Sequence, residues 1–567
     1  MEIQRTVLLI ALAFVLLFLW QNWLTYQEEK TPSTTQSPAT DSGGVPSLGV
    51  EPRGEGPGGE IPDAPSAPVT VVSDEAAPAA ADLQRGERIL VETDILRAEI
   101  DALGGDLRRV ELLKHPVSVD TPDEPFPLLK EDDPDLFVAQ SGLIGADGEY
   151  PNHKTRFTLA ATNLSLKEGE ATLRVPLAWV GPDGVKYQKI YIFHRDSYEI
   201  DIEYVIENHT DKPWNGYLYA QFLRTQVVDK NGGFLFMQAL PSYKGGAIYT
   251  PDERYEKIDF AEMMEQNLER EVNSGWVAML QHYFVSAWLP APDSAYQFYS
   301  RVDRRPGGPR YNLGYKTLQP KSIGAGESGV LRTRLYAGPK EQDRLEKPAE
   351  GLILTVDYGW LTPVASPLFW ILRMINKVLG NWGWSIIVLT FLIKLVFYPL
   401  SAASYKSMAR MKKLQPRLKT LRERYGDDKQ KLNQAMMEMY KKDKINPLGG
   451  CLPIVIQIPV FIALYWVLLE SVELRQAPFA LWLNDLSLRD PYFVLPVLMG
   501  ASMFAQQLLN PAPLDPIQKN IMMALPVVFT VFFLWFPAGL VLYWLVNNVL
   551  SIAQQWYITH NLQAAGS

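Results

Sequence analysis

Apolar residues are distributed very unevenly along this chain of 567 residues. The first two-thirds are mainly polar, whereas five long apolar runs fill most of residues 382–559. A helix needs about 20 predominantly apolar residues to cross the hydrocarbon core of a bilayer. The pattern therefore predicts five membrane-spanning helices, at about residues 382–400, 451–469, 492–509, 521–536 and 539–559.

A sixth apolar segment lies at the N-terminus. Residues 7–20 follow Arg5, as in a signal peptide, but residues 18–26 offer no small-x-small cleavage site. We interpret residues 1–28 as an uncleaved membrane anchor with tryptophan and tyrosine at the interface. A cleaved signal peptide is the alternative.

The polar part of the chain has two different compositions. Residues 29–85 contain almost no large apolar side chains, which predicts a disordered linker. From residue 86 to 345, apolar residues recur at every second position, as in residues 171–180 and 198–206, and glycine-containing turns separate these segments. Period-two alternation with frequent turns predicts a large antiparallel β-sandwich domain.

Two segments beside the apolar runs are amphipathic. Residues 358–380 place Arg373 and Lys377 on a polar side between apolar positions, which predicts a helix lying on the membrane surface. Within residues 401–446, methionine and leucine recur every three or four residues on both sides of Gly426. This spacing predicts a helical hairpin, and it leaves open whether the arms pack on each other or on a partner.

Charge gives the orientation of these segments. Residues 401–446 carry thirteen lysines and arginines and five acids, hence +8 in a chain of net charge −9. Short loops rich in lysine and arginine face the cytoplasm. We therefore expect six spans, cytoplasmic termini with a short tail at residues 561–567, and a β-domain in the periplasm of a double-membraned bacterium.

Lys394 is the only charged side chain in the five apolar runs. A lysine at the centre of a membrane span costs about 3 kcal/mol, so it is expected to face a polar interior and to have a function. In a continuous helix, Thr390 and Tyr398 would lie on the same face as Lys394. The alternative is a lysine that extends to the cytoplasmic surface without a specific role.

The last apolar run carries a polar stripe that includes Asn547, Asn548 and Ser551, and other runs contribute Gln457 and Gln506. Polar side chains are costly against lipid, so these residues are predicted to line a shared hydrated groove. The alternative is that each one hydrogen-bonds only to a neighbouring helix.

No enzyme motif emerges from the sequence. The six histidines lie outside the five apolar runs without metal-ligand spacing, no GxxxxGK loop is present, and the single Cys451 permits no intrachain disulfide. We expect no enzymatic activity, no cofactor, no metal and no specific nucleic-acid site. Two other functions remain open: a polar-solute transporter, although the runs lack the acidic residue that such a protein usually needs, and a scaffold that recruits partners through its β-domain.

Residues 446–465 (Asn-Pro-Leu-Gly-Gly-Cys-Leu-Pro-Ile-Val-Ile-Gln-Ile-Pro-Val-Phe-Ile-Ala-Leu-Tyr) closely resemble the YidC membrane protein insertase family, as do residues 473–482, 495–500 and 532–543. The resemblance is strong over residues 360–560, and the anchor, linker and β-domain match the Gram-negative form in order and size. It implies an insertase and chaperone that inserts, folds and assembles inner-membrane proteins, alone or with the Sec translocon, without ATP hydrolysis.

The resemblance also implies roles for residues of the membrane core, residues 381–560. A groove open to cytoplasm and lipid would carry Lys394, where the family usually has arginine. An acidic substrate tail would be drawn to Lys394 while its apolar segment slides along the helices bearing Thr390 and Tyr543. Trp544 stands where the family commonly has tyrosine.

The implied partners are nascent inner-membrane proteins, the Sec translocon and the phospholipid bilayer. The tail lacks the basic residues that some family members use near the ribosome, so the cytoplasmic hairpin is the candidate for recruiting substrates and the ribosome. The basic residues considered for this role are Arg410, Lys412, Lys413, Arg417 and Lys419.

Overall fold

The computed structural model describes residues 83–132, 134–146, 148–226, 243–292, 294–305, 307–425, 428–442, 452–510 and 516–564. The predicted anchor and almost all of the predicted linker lie outside the described residues. The described chain divides near residue 355 into two compact units.

The first unit consists mainly of β-strands. Its described strands are β1 (Arg88–Glu92), β2 (Leu96–Asp101), β3 (Leu107–Ser118), β4 (Thr121–Leu129), β5 (Phe137–Ile144), β6 (Thr158–Leu159), β7 (Asn163–Ser165), β8 (Thr172–Val180), β9 (Lys186–His194), β10 (Glu199–Glu207), β11 (Trp214–Thr225), β12 (Gly245–Thr250), β13 (Arg254–Ile258), β14 (Glu269–Val272), β15 (Trp276–Leu280), β16 (Phe284–Leu289), β17 (Tyr296–Asp303), β18 (Arg310–Thr317), β19 (Lys321–Ile323) and β20 (Ser328–Pro339). Two short helices accompany them, α1 (Phe260–Glu265) and α2 (Gln342–Leu345).

These strands form two sheets. The larger has the order β14-β17-β18-β11-β5-β3-β2-β1-β7, with β19 beside β11 and β4 beside β3, and the smaller has the order β13-β12-β15-β16-β20-β10-β9-β8-β6. Pairing is antiparallel in the registers determined for the described strands, apart from the parallel pair β1 and β7. The predicted segments 171–180 and 198–206 are β8 and β10, so the alternation predicted these strands correctly.

The two sheets face each other across a core that contains polar groups. On β10, Ile200, Ile202 and Tyr204 point inward and are buried, because successive side chains of a strand alternate between its faces. The Tyr204 hydroxyl on the smaller sheet lies 2.9 Å from the Ser141 hydroxyl on the larger one. Contacts of this kind make the unit a sandwich, as predicted.

A buried ionic cluster also joins the sheets. Lys189 on β9 is fully buried, and its Nζ donates to the carbonyl oxygens of Gly104 (3.1 Å) and Ser141 (3.0 Å). Asp106 accepts a 2.9 Å hydrogen bond from Gln140 Nε2 and lies 3.4 Å from Arg108 Nη2. The sequence pattern gave no indication of this cluster, because its members come from separate strands and turns.

Burial of Asp106 predicts a pH effect on the stability of this unit. Desolvation raises the pKa of Asp106 to about 6, although Arg108 and Lys189 partly oppose the shift. The folded domain therefore holds this proton more tightly than the unfolded chain, and its free energy of unfolding should fall as pH rises from about 4 to about 6. A shift of this size corresponds to a change on the order of 3 kcal/mol. Hydrogen exchange of the β3 and β9 amides in the full-length protein, corrected for intrinsic rates, measures this change.

The Asp106→Asn variant is the control for the pH effect, because an amide has nearly the same shape and does not titrate in this range. The decline between pH 4 and 6 should be much smaller in this variant. An equal decline in both proteins would show that other carboxyl groups cause it. In the wild-type protein, burial lowers the pKa of Lys189 to about 7, so the contribution of Lys189 changes mainly at higher pH.

The second unit is helical. Its described helices are α3 (Thr362–Leu379), α4 (Trp382–Val396), α5 (Tyr398–Tyr425), α6 (Lys429–Lys442), α7 (Leu452–Glu470), α8 (Val494–Leu509), α9 (Pro516–Phe533) and α10 (Ala538–Ala564). Helices α4, α7, α8, α9 and α10 coincide with the five apolar runs. Among the described residues, no single helix is both long and apolar enough to span a membrane. Helix α4 and the part of α5 up to Leu418 are long and apolar enough only when taken together, and a 67° bend lies between them.

The bend between α4 and α5 corrects the predicted continuous helix at residues 382–400. Pro399 lacks an N–H group, and its ring clashes with the carbonyl of residue 395 in a continuous helix, so the helix breaks just before it. Because of this bend, Tyr398 does not continue the helix of Lys394, so the prediction that the two side chains share one helix face was wrong. Tyr398 begins α5 and is 37% exposed, whereas Lys394 is 6% exposed.

Helix α3 corresponds to the predicted amphipathic segment. Phe369 and Leu372 are buried, whereas Trp370 and Val378 are exposed. Gly380 ends the helix with φ of 65°, and its N–H donates to the Asn376 carbonyl at 2.8 Å; this left-handed conformation favours glycine. The location of α3 on a membrane surface remains a prediction.

Helices α5 and α6 form the predicted hairpin. Leu414 and Leu418 of α5 pack with Tyr440 of α6, and Met436 and Met439 lie against them. The arms therefore pack on each other, which the sequence had left open. The side chains of Arg410, Lys412, Lys413 and Arg417 are exposed on α5.

Candidate functional site

Helix α10 begins in a loop that satisfies its first backbone donors. The N–H groups of Ala538 and Gly539 donate to the carbonyls of Leu488 (2.7 Å) and Leu486 (2.9 Å). Four N–H groups at a helix start have no partner within the helix, so these bonds stabilise it. They also determine where the polar residues of α10 lie relative to the loop at residues 471–493.

The same loop holds the start of α8 through one buried carboxylate. Asp490 is 1% exposed; its Oδ1 accepts from Trp482 Nε1 (2.9 Å) and the Tyr492 N–H (3.0 Å), and its Oδ2 accepts from the Leu495 N–H (2.7 Å). A carboxylate at a helix N-terminus is favourable both as a cap and through the helix dipole. No motif in the sequence pointed to this role of Asp490.

Lys394 projects from α4 onto α10. Its Nζ donates a 2.8 Å hydrogen bond to Ser551 Oγ, and Ser551 Oγ donates to the Asn547 carbonyl at 2.6 Å. Thr390 is buried one turn earlier on α4, and its hydroxyl donates to the Ile386 carbonyl of its own helix. Lys394 and Ser551 are therefore in direct contact, whereas Thr390 contributes to the packing beside them.

Other polar residues of α10 are bonded to different helices. Gln457 Nε2 of α7 donates to Asn547 Oδ1 at 2.6 Å, and Asn548 Nδ2 donates to Ser502 Oγ of α8 at 3.0 Å. Gln555 Nε2, two turns further along, donates to Asn510 Oδ1 at 3.1 Å. The polar stripe thus connects α10 to α4, α7 and α8.

Aromatic rings surround the first turns of α10. The Trp544 ring lies 4.5 Å from Phe461, 5.2 Å from Phe533 and 6.2 Å from Phe529, measured between centroids. Tyr543 is 2% exposed and stacks on Phe461 at 6.1 Å. The aromatic cluster, formed by these five residues, therefore lies on the N-terminal side of the polar stripe.

The structure brings together five of the ten predicted groove residues. Hydrogen bonds link Lys394, Ser551, Asn547 and Gln457, whereas Asn548 bonds to Ser502 of α8 instead. The five predicted residues around α10 are named here the polar cluster: Lys394, Gln457, Asn547, Asn548 and Ser551.

Two predicted residues lie differently. Gln506 is half-buried on α8, and Tyr398 is separated from the polar cluster by the bend. Within the described ranges, no group of three histidine, cysteine or acidic residues could hold a metal ion.

The described chain is a two-part protein, with a β-sandwich unit and a unit of apolar helices around a polar cluster. The chain matches the families described as "YidC periplasmic domain" over residues 88–371 and "60Kd inner membrane protein" over residues 374–565. It belongs to the YidC family.

Two relatives illustrate how far this likeness extends. The protein named "Membrane protein insertase YidC" of Nitrosococcus oceani is 50% identical over 575 residues, and that of Thioalkalivibrio sulfidiphilus is 48% identical over 578 residues; all of this chain and all of each relative are covered. A solved structure titled "Active YidC insertase crystal structure with the first transmembrane domain resolved" matches with 17% identity and a TM-score of 0.37, covering 84% of this chain and 93% of that one. The family assignment rests on the sequence matches.

Proposed function

We propose that this protein is a membrane protein insertase of the bacterial inner membrane that uses the charge of Lys394 to receive acidic parts of its substrates. Relatives with that name match the chain over its whole length. The observation that carries the residue-level proposal is the burial of Lys394 among apolar helices, where a neutral hydroxyl is its hydrogen-bond acceptor. A buried cation whose hydrogen-bond acceptor is neutral is suited to receive a carboxylate from a substrate.

The proposed membrane arrangement has six spans, with the termini and the hairpin in the cytoplasm and the β-domain in the periplasm. Its support is the +8 charge of residues 401–446 and the exposed apolar side chains on the helices of the second unit. Phe391, Val396, Val497, Val527 and Val528 are each more than half exposed. Exposed apolar surface of this extent favours contact with lipid.

The proposed mechanism starts with the acidic tail of a substrate. One carboxylate in the middle of a membrane costs about 3 kcal/mol, and an ion pair at about 4 Å in a medium of effective dielectric constant near 20 returns about 4 kcal/mol. The apolar segment of the substrate then moves along the helices bearing Thr390 and Tyr543 into lipid. Transfer of this segment into lipid supplies the driving force, so the proposal requires no ATP hydrolysis by this protein.

The proposed partners follow from charge and position. The exposed basic residues of α5 would attract acidic substrate segments and the ribosome at the cytoplasmic surface. The Sec translocon is a further proposed partner for substrates that need both proteins. Folding and assembly of inserted proteins, as a chaperone, would take place at the same helices.

Reconstitution of the purified protein in liposomes tests the proposed function. A single-span substrate with an acidic N-terminal tail should become protected from protease in proteoliposomes and stay accessible with empty liposomes. Solute flux in vesicles containing only this protein, without substrate protection, would instead support a transporter. A truncated chain without the helices after residue 380 that retained function in cells would support a scaffold.

A further inference from the structure

Ser551 is placed at the contact of three helices. Its hydroxyl has one proton and two lone pairs, and the proton is donated to the Asn547 carbonyl one turn earlier on α10 at 2.6 Å. This bond restricts rotation of the Ser551 side chain. The lone pairs are therefore directed away from α10, and one of them accepts the Lys394 ammonium of α4 at 2.8 Å.

The third helix at this point is α5. It packs against α10, and its Tyr405, which is 9% exposed, has its hydroxyl close to Ser551. Lys394 lies in the last turn of α4, just before the bend between α4 and α5. Tyr405 lies after the bend, two turns beyond Tyr398, the first residue of α5. Ser551 thus bonds to a residue before the bend and lies close to one after it.

The Lys394 side chain needs such a contact to stay where it is. Lysine has a flexible four-carbon stem and tends to extend its ammonium toward water when no partner holds it. The hydrogen bond that the structure shows for the Lys394 ammonium is the one to Ser551, a neutral acceptor. Loss of the Ser551 hydroxyl would therefore release the ammonium from this position.

We infer that Ser551 is a positioning residue, which holds the Lys394 ammonium within the helical unit and connects it through Tyr405 to the base of the cytoplasmic hairpin. This inference rests on the proposed function. Lysine has three protons to donate, so Lys394 can keep its bond to Ser551 while it receives a substrate carboxylate. A movement of α5 changes the Tyr405 contact and so alters the position of the ammonium.

Two variants of Ser551, whose new side chains have nearly the same shape as each other, test the role of the hydroxyl. Ser551→Thr keeps the hydroxyl and adds a methyl group, whereas Ser551→Val has nearly the same volume without a hydroxyl. Insertion of a substrate with an acidic tail should be about tenfold slower for Ser551→Val than for Ser551→Thr, the factor expected for one hydrogen bond to a charged group. Tyr405→Phe should slow the same reaction by about two- to threefold, because Lys394 keeps its own bond to Ser551.

A second substrate with a neutral tail separates positioning from packing. Its insertion should be equal for Ser551→Thr and Ser551→Val, since no carboxylate meets Lys394. Equal insertion of the acidic-tailed substrate by both variants, or a parallel loss of both substrates in Ser551→Val alone, would overturn the inference and leave the proposed function in place. Absence of insertion by the wild-type protein would overturn the proposed function, and the inference with it.

Discussion

Replacement of Lys394 by methionine should reduce the insertion of a single-span substrate with an acidic tail by at least about tenfold, whereas replacement by arginine should preserve most of it. Methionine is similar to lysine in length and has no charge, so it fills the same space without attracting a carboxylate. An attraction of even about 1.4 kcal/mol corresponds to a factor of about ten in rate. Protease protection of the substrate in proteoliposomes measures the effect.

The arginine variant makes this test specific for charge. Arginine keeps the positive charge but replaces a compact ammonium with a planar guanidinium. A substrate with a neutral tail should be inserted about equally by all three proteins. Equal insertion of the acidic-tailed substrate by the methionine variant would mean that Lys394 has a structural role and that apolar contacts alone move the substrate.

Replacement of Asp490 by alanine should destabilise the helical unit by about 3 kcal/mol or more. Three donors would lose their acceptor: the indole N–H of Trp482 and the backbone N–H groups of Tyr492 and Leu495. Removing a charged acceptor from buried donors costs about 1–3 kcal/mol for each group left unpaired. Hydrogen exchange in detergent micelles should show lost protection in the first turns of α8, together with a lower unfolding midpoint of the full-length protein.

Asp485 supplies a control for the Asp490 variant from the same loop. It is half-buried, and its Oδ1 accepts from the N–H and the hydroxyl of Ser487, two residues away. Because these bonds are local and the site is partly open to water, Asp485→Ala should cost less than about 1 kcal/mol. Equal destabilisation by the two alanine variants would show that the loop responds to the loss of any carboxylate. The bonds of Asp490 to the start of α8 would then contribute no extra stability.

Elements with a regular periodicity were predictable from the sequence. Strands β8 and β10 and helices α7 and α8 lie where the alternating or apolar pattern places them. The prediction of a hairpin was also correct, because two amphipathic segments of opposite direction can cover each other's apolar faces. The predicted continuous helix at residues 382–400 was wrong in its last turn, where the conformational limits of Pro399 outweigh hydropathy.

The site was predictable only in part. The five residues of the polar cluster stood out in the sequence because polar groups are rare in apolar runs. The structure places all five around α10. Their hydrogen bonds agree with the alternative in which polar residues bond to neighbouring helices. A hydrated groove that opens among them stays a prediction.

The sequence by itself determined the composition of the two units, the positions of most regular elements and the family, because periodicity, hydropathy and local motifs are properties of neighbouring residues. Only the tertiary structure decided that Lys394 meets Ser551, that Asp490 caps α8 and that Lys189 lies with Asp106 between two sheets. These contacts join residues from different elements. Their formation depends on distances and burial that arise only when helices and sheets pack, and no linear pattern encodes such a distance.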